Sequence, residues 1–194
     1  MRLTARDAIR PIEEYREYLL LLVRLQVGSR PRAKVDASDV VQQAILNAHQ
    51  SRAQFRGGTE GEWLAWLRVI LANVLTATLR RLDTQSRDPG RGRSLEGELE
   101  RSSSRLQSLL VADQTSPSQQ AVRGEELLRL AHAIARLPDD QRRVVELHYL
   151  KGLAVADVAE QIGRTRPAAV GLLFRGLNRL RALLADSRES GHDS

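Results

Sequence analysis

The sequence predicts an all-α fold: two small helical domains joined by a flexible linker, with a helix-turn-helix in the C-terminal domain. Three observations lead there. Only 4% of the residues are aromatic, and Leu, Ala, Val and Arg dominate, a composition that favours helices over sheets. Apolar residues recur at three- and four-residue spacings in two separated regions, the repeat that lines one face of a helix. Between those regions, DTQSRDPGRGRSLEGELERSSSRLQSLLVADQTSPSQQ is rich in Ser, Gly, Arg and Gln, as a tether is. The 194 residues suffice for two such units but not for two large cores. The expected boundaries are 1–82 for the first domain, 83–120 for the linker, 121–188 for the second domain and 189–194 for a tail.

The first segment, MRLTARDAIRPIEEYREYLLLLVRLQ, reads as a soluble helix. Its apolar run is too short to span a bilayer, carries charges at Arg16, Glu17 and Arg24, and is followed by no cleavage-site pattern. Asp36 caps the next helix, whose Val41, Ala44, Ile45 and Ala48 fall at i, i+3, i+4 and i+7 and turn inward. Asp39, Gln42, Gln43 and Asn47 are left outside. Ser51 to Gly61 is a polar hinge marked by Gly57-Gly58. A long helix from Glu60 to Arg81 follows, with Trp63, Leu67, Ile70 and Val74 on one face and Leu64, Leu71 and Leu75 on the adjoining one. Its wide apolar arc predicts the central helix of its domain, with Trp63 in the core.

The linker has room for a short helix near Leu95 to Leu110. Beyond it, Leu127, Leu130, Ala131 and Ile134 mark one amphipathic helix, Leu137-Pro138-Asp139 separates it from a second, and Gly152 ends that one near Leu150. Val155, Val158, Ala159 and Ile162 mark a third, stopped by Gly163. Thr165 is an N-cap for a fourth, with Pro167 tolerated in its first turn. Val170, Leu173, Leu177, Leu180 and Leu184 are expected to form its packing stripe.

Thirty Lys and Arg against 24 Asp and Glu give a net charge of +6, which suits a polyanionic partner. The absence of cysteine excludes disulfides and thiolate-zinc sites and fits a cytoplasmic protein. His49, His132, His148 and His192 lack metal-ligand spacing, and no phosphate loop or nucleophile motif occurs, so neither enzyme chemistry nor a cofactor is expected. A short helix, a glycine turn and a longer helix form the unit that places a helix in the major groove. Arg164 and Arg166 at the start of that helix, with Arg175, Arg179 and Arg181 behind them, favour DNA over a merely solvated basic face.

LPDDQRRVVELHYLKGLAVADVAEQIGRTRPAAVGLLFRGLNRLR resembles the C-terminal promoter-binding domain of bacterial RNA polymerase sigma factors of the extracytoplasmic-function group. SDVVQQAILNAHQSRAQFRGG with EWLAWLRVILANV is similar to the N-terminal core domain of the same family. The resemblance implies a two-domain initiation factor that binds core RNA polymerase and promoter DNA, with an anti-sigma protein as a further partner of such factors. It places Asp39, Val40, Gln42, Gln43 and Leu46 at the polymerase clamp. Phe55, Arg56, Gly57 and Gly58, with the long helix, would recognise and melt the minus-ten element, where aromatic surface replaces base stacking and cations hold phosphate.

Trp66, Asn73 and Arg80 share a stripe at i, i+7 and i+14, which with Arg56 and Arg68 forms the candidate DNA surface of the first domain. Trp66 admits packing or DNA contact, and Phe55 admits an anchoring role in the hinge. In the second domain Arg164, Thr165 and Arg166 are the base readers, with Arg175 and Arg179 on phosphates. The family carries polar or basic residues in the middle of this helix, where Val170, Gly171 and Leu172 stand here. An unaided helix-turn-helix regulator and a helical sigma-interacting protein are the alternative readings.

Overall fold

The computed structural model describes residues 10–27, 35–82, 90–111 and 120–189, and every regular element among them is helical. A 3-10 turn, Ile12–Tyr15, runs into α1 (Arg16–Val27). α2 (Ala37–Ser51) starts at Asp36, whose carboxylate accepts a hydrogen bond from the Ser38 amide at 2.7 Å, the cap expected of that residue. A 3-10 turn, Arg52–Gln54, leads to the long α3 (Glu60–Leu82). α4 (Gly90–Val111), α5 (Gln120–Ala135) and α6 (Asp139–Val145) follow, and α6 widens into a π turn at Glu146–Leu150. α7 (Val155–Gln161) and α8 (Arg166–Glu189) complete the described elements.

α1 is buried on nearly all sides, because Tyr18, Leu19, Leu21, Leu22, Val23 and Leu25 leave little of its surface polar. It packs on α2, α3, α4 and α5. α3 also packs on α1, α2, α4 and α5, so the helix whose length and hydropathy would suit a bilayer is covered by protein here.

Residues 90–111 are the largest departure from the expected organisation. The helix foreseen near Leu95–Leu110 is present but longer, and it is packed where the composition suggests a tether. Leu95, Leu99 and Leu106 are at most 1% exposed, and α4 lies against α1, α3, α5 and the π turn. Ser102 and Ser103 are buried as well, and these small side chains let α4 approach α1 closely enough for the Tyr18 hydroxyl to donate to Ser103 Oγ at 2.9 Å. One buried apolar cluster consequently runs from Ile12 to Leu183. The rest of the expected linker, 83–89 and 112–119, and the tail beyond Glu189 lie outside the described residues.

The C-terminal elements follow their sequence signals. Leu127, Leu130, Ala131 and Ile134 of α5 are buried, as are Val158 and Ala159 of α7. α7 closes with Gly163 at φ +64°, its amide donating to the Glu160 carbonyl at 3.1 Å while the Arg164 amide donates to the Ala159 carbonyl at 2.9 Å. That paired closure needs a left-handed residue, which glycine adopts without strain. α8 packs on α5, α6 and α7. At Gly176 it passes so near α6 that a Cβ would sit 3.1 Å from Val145 Cγ2.

Candidate nucleic-acid interface

The turn at Gly163 sets the start of α8 in solvent. Thr165 Oγ1 accepts from the Ala168 amide at 3.4 Å, and Arg164, Thr165 and Arg166 are all exposed around this capped end. The unpaired N–H groups of the first turn add partial positive charge at the same place. Arg164 Nη2 lies 3.7 Å from Asp140, a pair open to water on both sides and therefore weak. Further along, Arg175 and Arg179 are exposed one turn apart, and Arg181 Nη1 donates to Asn178 Oδ1 at 3.4 Å.

The buried stripe of α8 is Ala169, Leu173, Leu180 and Leu183. Val170, expected in that stripe, is instead 50% exposed, and Phe174 is 65% exposed. The reason is rotational: the arc of α8 that holds Ala169 and Leu173 faces the packed helices, and Val170 and Phe174 lie beyond its edge.

In the N-terminal half, the hinge before α3 is an aromatic knot. The Phe55 ring meets Trp63 edge-on with centroids 4.9 Å apart and Trp66 at 5.5 Å, and Arg52 sits 5.6 Å over Trp63. Gly57 is required there, since a Cβ would lie 2.4 Å from Phe55 Cζ. A reciprocal cap starts α3: Glu62 Oε2 accepts from the amides of Gly58 (2.9 Å) and Thr59 (3.0 Å), and Thr59 Oγ1 accepts from the Glu62 amide at 3.2 Å. Those donated hydrogen bonds hold the Glu62 carboxyl below its usual range. Trp66 is half-buried at the rim of the knot, while Arg56, Asn73 and Arg80 are exposed.

The outer face of α2 carries Asp39, Gln42 and Gln43 in solvent, with Leu46 at 48% exposure among them. Gln43 Nε2 donates to Asn47 Oδ1 at 2.8 Å. Such a face, polar around one exposed leucine, has the make-up of a protein contact surface.

Residues 127–180 match the family model of sigma-70 region 4. The chain is similar to a probable RNA polymerase sigma factor, RfaY, of Xanthomonas campestris pv. campestris, with 31% identity over 72% of this chain and 32% of that protein. It is also similar to two Mycobacterium tuberculosis proteins described as extracytoplasmic-function RNA polymerase sigma factors. SigM is 28% identical over 79% of this chain and 66% of its own length, and SigD is 27% identical over 91% and 76%. Residues 127–180 thus carry the sequence pattern of sigma-70 region 4, and the relatives of the longer chain are described as RNA polymerase sigma factors. The chain spans about a third of the length of RfaY and just under two-thirds of SigM.

The structure sorts the candidate residues. Asp39, Gln42, Gln43 and Leu46 share one exposed face of α2. Val40, placed with them by the resemblance, is 2% exposed and belongs to the core, because it flanks the inward stripe of Val41, Ala44 and Ala48. Phe55 is 7% exposed and held between two indoles, so it anchors the hinge and presents no ring to a base.

Arg68 is the third correction. It is buried at 7% exposure, Nη1 donates to the Tyr18 hydroxyl at 3.1 Å, and Nη2 is paired with Glu100 of α4. It joins α1, α3 and α4 and cannot reach a phosphate. Two features escaped the sequence reading. The cap of α3 was legible in Thr59-Glu60-Gly61-Glu62. The pairing of Arg24 with the buried Glu146 at 3.1 Å, between α1 and the π turn, has no local signal.

Proposed function

We propose that this protein binds core RNA polymerase and directs it to promoters, recognising the upstream element through α8 and the minus-ten element through the exposed stripe of α3. The carrying observation is the region 4 match over a helix-turn-helix whose α8 start displays Arg164, Thr165 and Arg166 in solvent. Arginines there suit base edges and phosphates, with Arg175 and Arg179 further along on the backbone. In the first half, Trp66, Asn73, Arg56 and Arg80 remain the DNA set, and Asp39, Gln42, Gln43 and Leu46 the polymerase set. Relatives described as RNA polymerase sigma factors support the same role, a binding role that we propose is exercised in the cytoplasm without catalysis.

The test is a comparison with and without core polymerase. The full chain is expected to co-purify with core enzyme and to protect a promoter only in its presence; protection by the protein alone would favour a self-sufficient helix-turn-helix regulator. Replacing Asp39→Arg together with Gln43→Arg puts repulsive charge on the α2 face and is expected to lose core binding while the melting temperature stays unchanged. Wild-type co-purification of that double variant would remove α2 from the contact.

A further inference from the structure

Phe174 and Val170 are among the most exposed large apolar side chains described, at 65% and 50%, and they stand one helical turn apart on α8. Arg166 precedes them at the same four-residue interval, Arg181 and Asn178 follow, and Arg175 and Arg179 lie on the neighbouring arc. No Asp or Glu occurs from Arg164 to Ala185. On α8 the apolar pair is therefore flanked by arginines, with Asp140 of α6 beside Arg164, and it is set on the helix that a helix-turn-helix offers to a duplex. A protein partner would match the apolar pair but has no general reason to match the row of arginines on the same helix. Duplex DNA matches both, because phosphates line the groove and the C5-methyl of thymine is the apolar group on its floor.

We propose that Val170 and Phe174 are specificity residues that read thymine methyl groups in the upstream promoter element. The inference rests on the promoter-binding reading above and says which base it selects. Arg166, at the capped end, takes a polar base edge; Val170 and Phe174 each cover a methyl group further along. The two side chains are separated by about 6 Å along the helix, close to two base-pair steps of a groove that the helix follows. Hydrogen bonding is not needed for this contact, which explains how apolar residues can occupy the middle of a reading helix.

The experiment uses the full chain with core RNA polymerase and a duplex library randomised in the upstream element. Thymine is expected to be enriched at two positions about two steps apart. Deoxyuridine is then placed at each, which removes only the methyl group. Wild-type binding should weaken about fourfold per substitution, the factor set by taking one methyl group's worth of apolar surface out of contact. In Phe174→Ala the thymine and deoxyuridine templates should bind alike at one position, and in Val170→Ala at the other. Because both residues are exposed, both variants should keep the wild-type unfolding midpoint.

Equal affinity of the wild type for the two templates overturns the proposal, as does discrimination that survives in both variants. A promoter complex that forms with upstream preference but without methyl dependence sinks this inference alone. If no promoter complex forms with core enzyme, the initiation-factor reading falls first.

Discussion

α4 and α8 are nearly the same length, 22 and 24 residues, and both carry several arginines, yet they occupy opposite situations. α4 is the more polar helix and lies against α1, α3, α5 and the π turn. α8 is the more apolar one and leaves Val170 and Phe174 in water. Three leucines at one register, Leu95, Leu99 and Leu106, suffice to seat α4, since its serines on the same side occupy little volume. Around α8, α5, α6 and α7 leave one arc open, and the apolar residues on it stay in water. Burial thus follows the position of neighbours more than the composition of the helix.

The widest break in this comparison comes from trimming one apolar residue on each helix. Leu99→Ala is expected to cost about 2–5 kcal/mol in urea unfolding, as for a buried leucine that leaves a cavity. Phe174→Ala should stay within about 0.5 kcal/mol of wild type, as for a surface change. If Leu99→Ala is also near neutral, α4 is not part of the core.

A second contrast sets the buried arginine beside an exposed one. Arg68→Ala removes the partner of Tyr18 and Glu100 and is expected to destabilise the fold by about 1–3 kcal/mol, as a lost buried hydrogen bond to a charged group does. It should leave the salt dependence of promoter binding as it was. Arg179→Ala should do the reverse: no loss of melting temperature, and a binding slope against log salt shallower by about one unit. Titrating both variants with potassium chloride decides whether the two arginines are divided as the structure divides them.

The smallest effect concerns the join between α1 and the π turn. Burial pushes the Glu146 carboxyl above the ordinary glutamate range, against the pull of Arg24 and Arg142. The folded state therefore favours the protonated form, and the stability this contributes is fully present below the unfolded value and is lost as pH rises through the raised one. Glu146→Gln should remove that slope, so its melting temperature should gain on the wild type as pH climbs from 4 towards 7. A difference that shrinks over that range would mean the ion pair with Arg24 outweighs burial.

The helix order, the Asp36 and Thr165 caps, the Gly163 stop and the inward faces of α2, α5 and α7 were all legible, because each depends on residues a few positions apart. The exposure of the candidate residues was legible where it follows from local alternation: Asp39, Gln42, Gln43, Asn73, Arg80 and the arginines of α8. The errors differ in cause. Arg68 is enclosed by α4 through Glu100 and Ser103, a helix whose composition is that of a tether. Val40 was placed by the resemblance and Phe55 left open to anchoring; the first is buried beside Val41 and the second against Trp63 and Trp66.

By itself the sequence determined an all-helical chain with a capped C-terminal helix after a glycine turn and an arginine-rich surface, since caps, turns and periodicity act within one or two helical turns. Only the tertiary structure decided that α4 is an interior strut, that Arg68 is a buried tie and that Val170 and Phe174 face outward. Periodicity assigns a residue to an arc of its helix, but whether that arc is covered depends on which other helix arrives there, and that is a property of the assembled core.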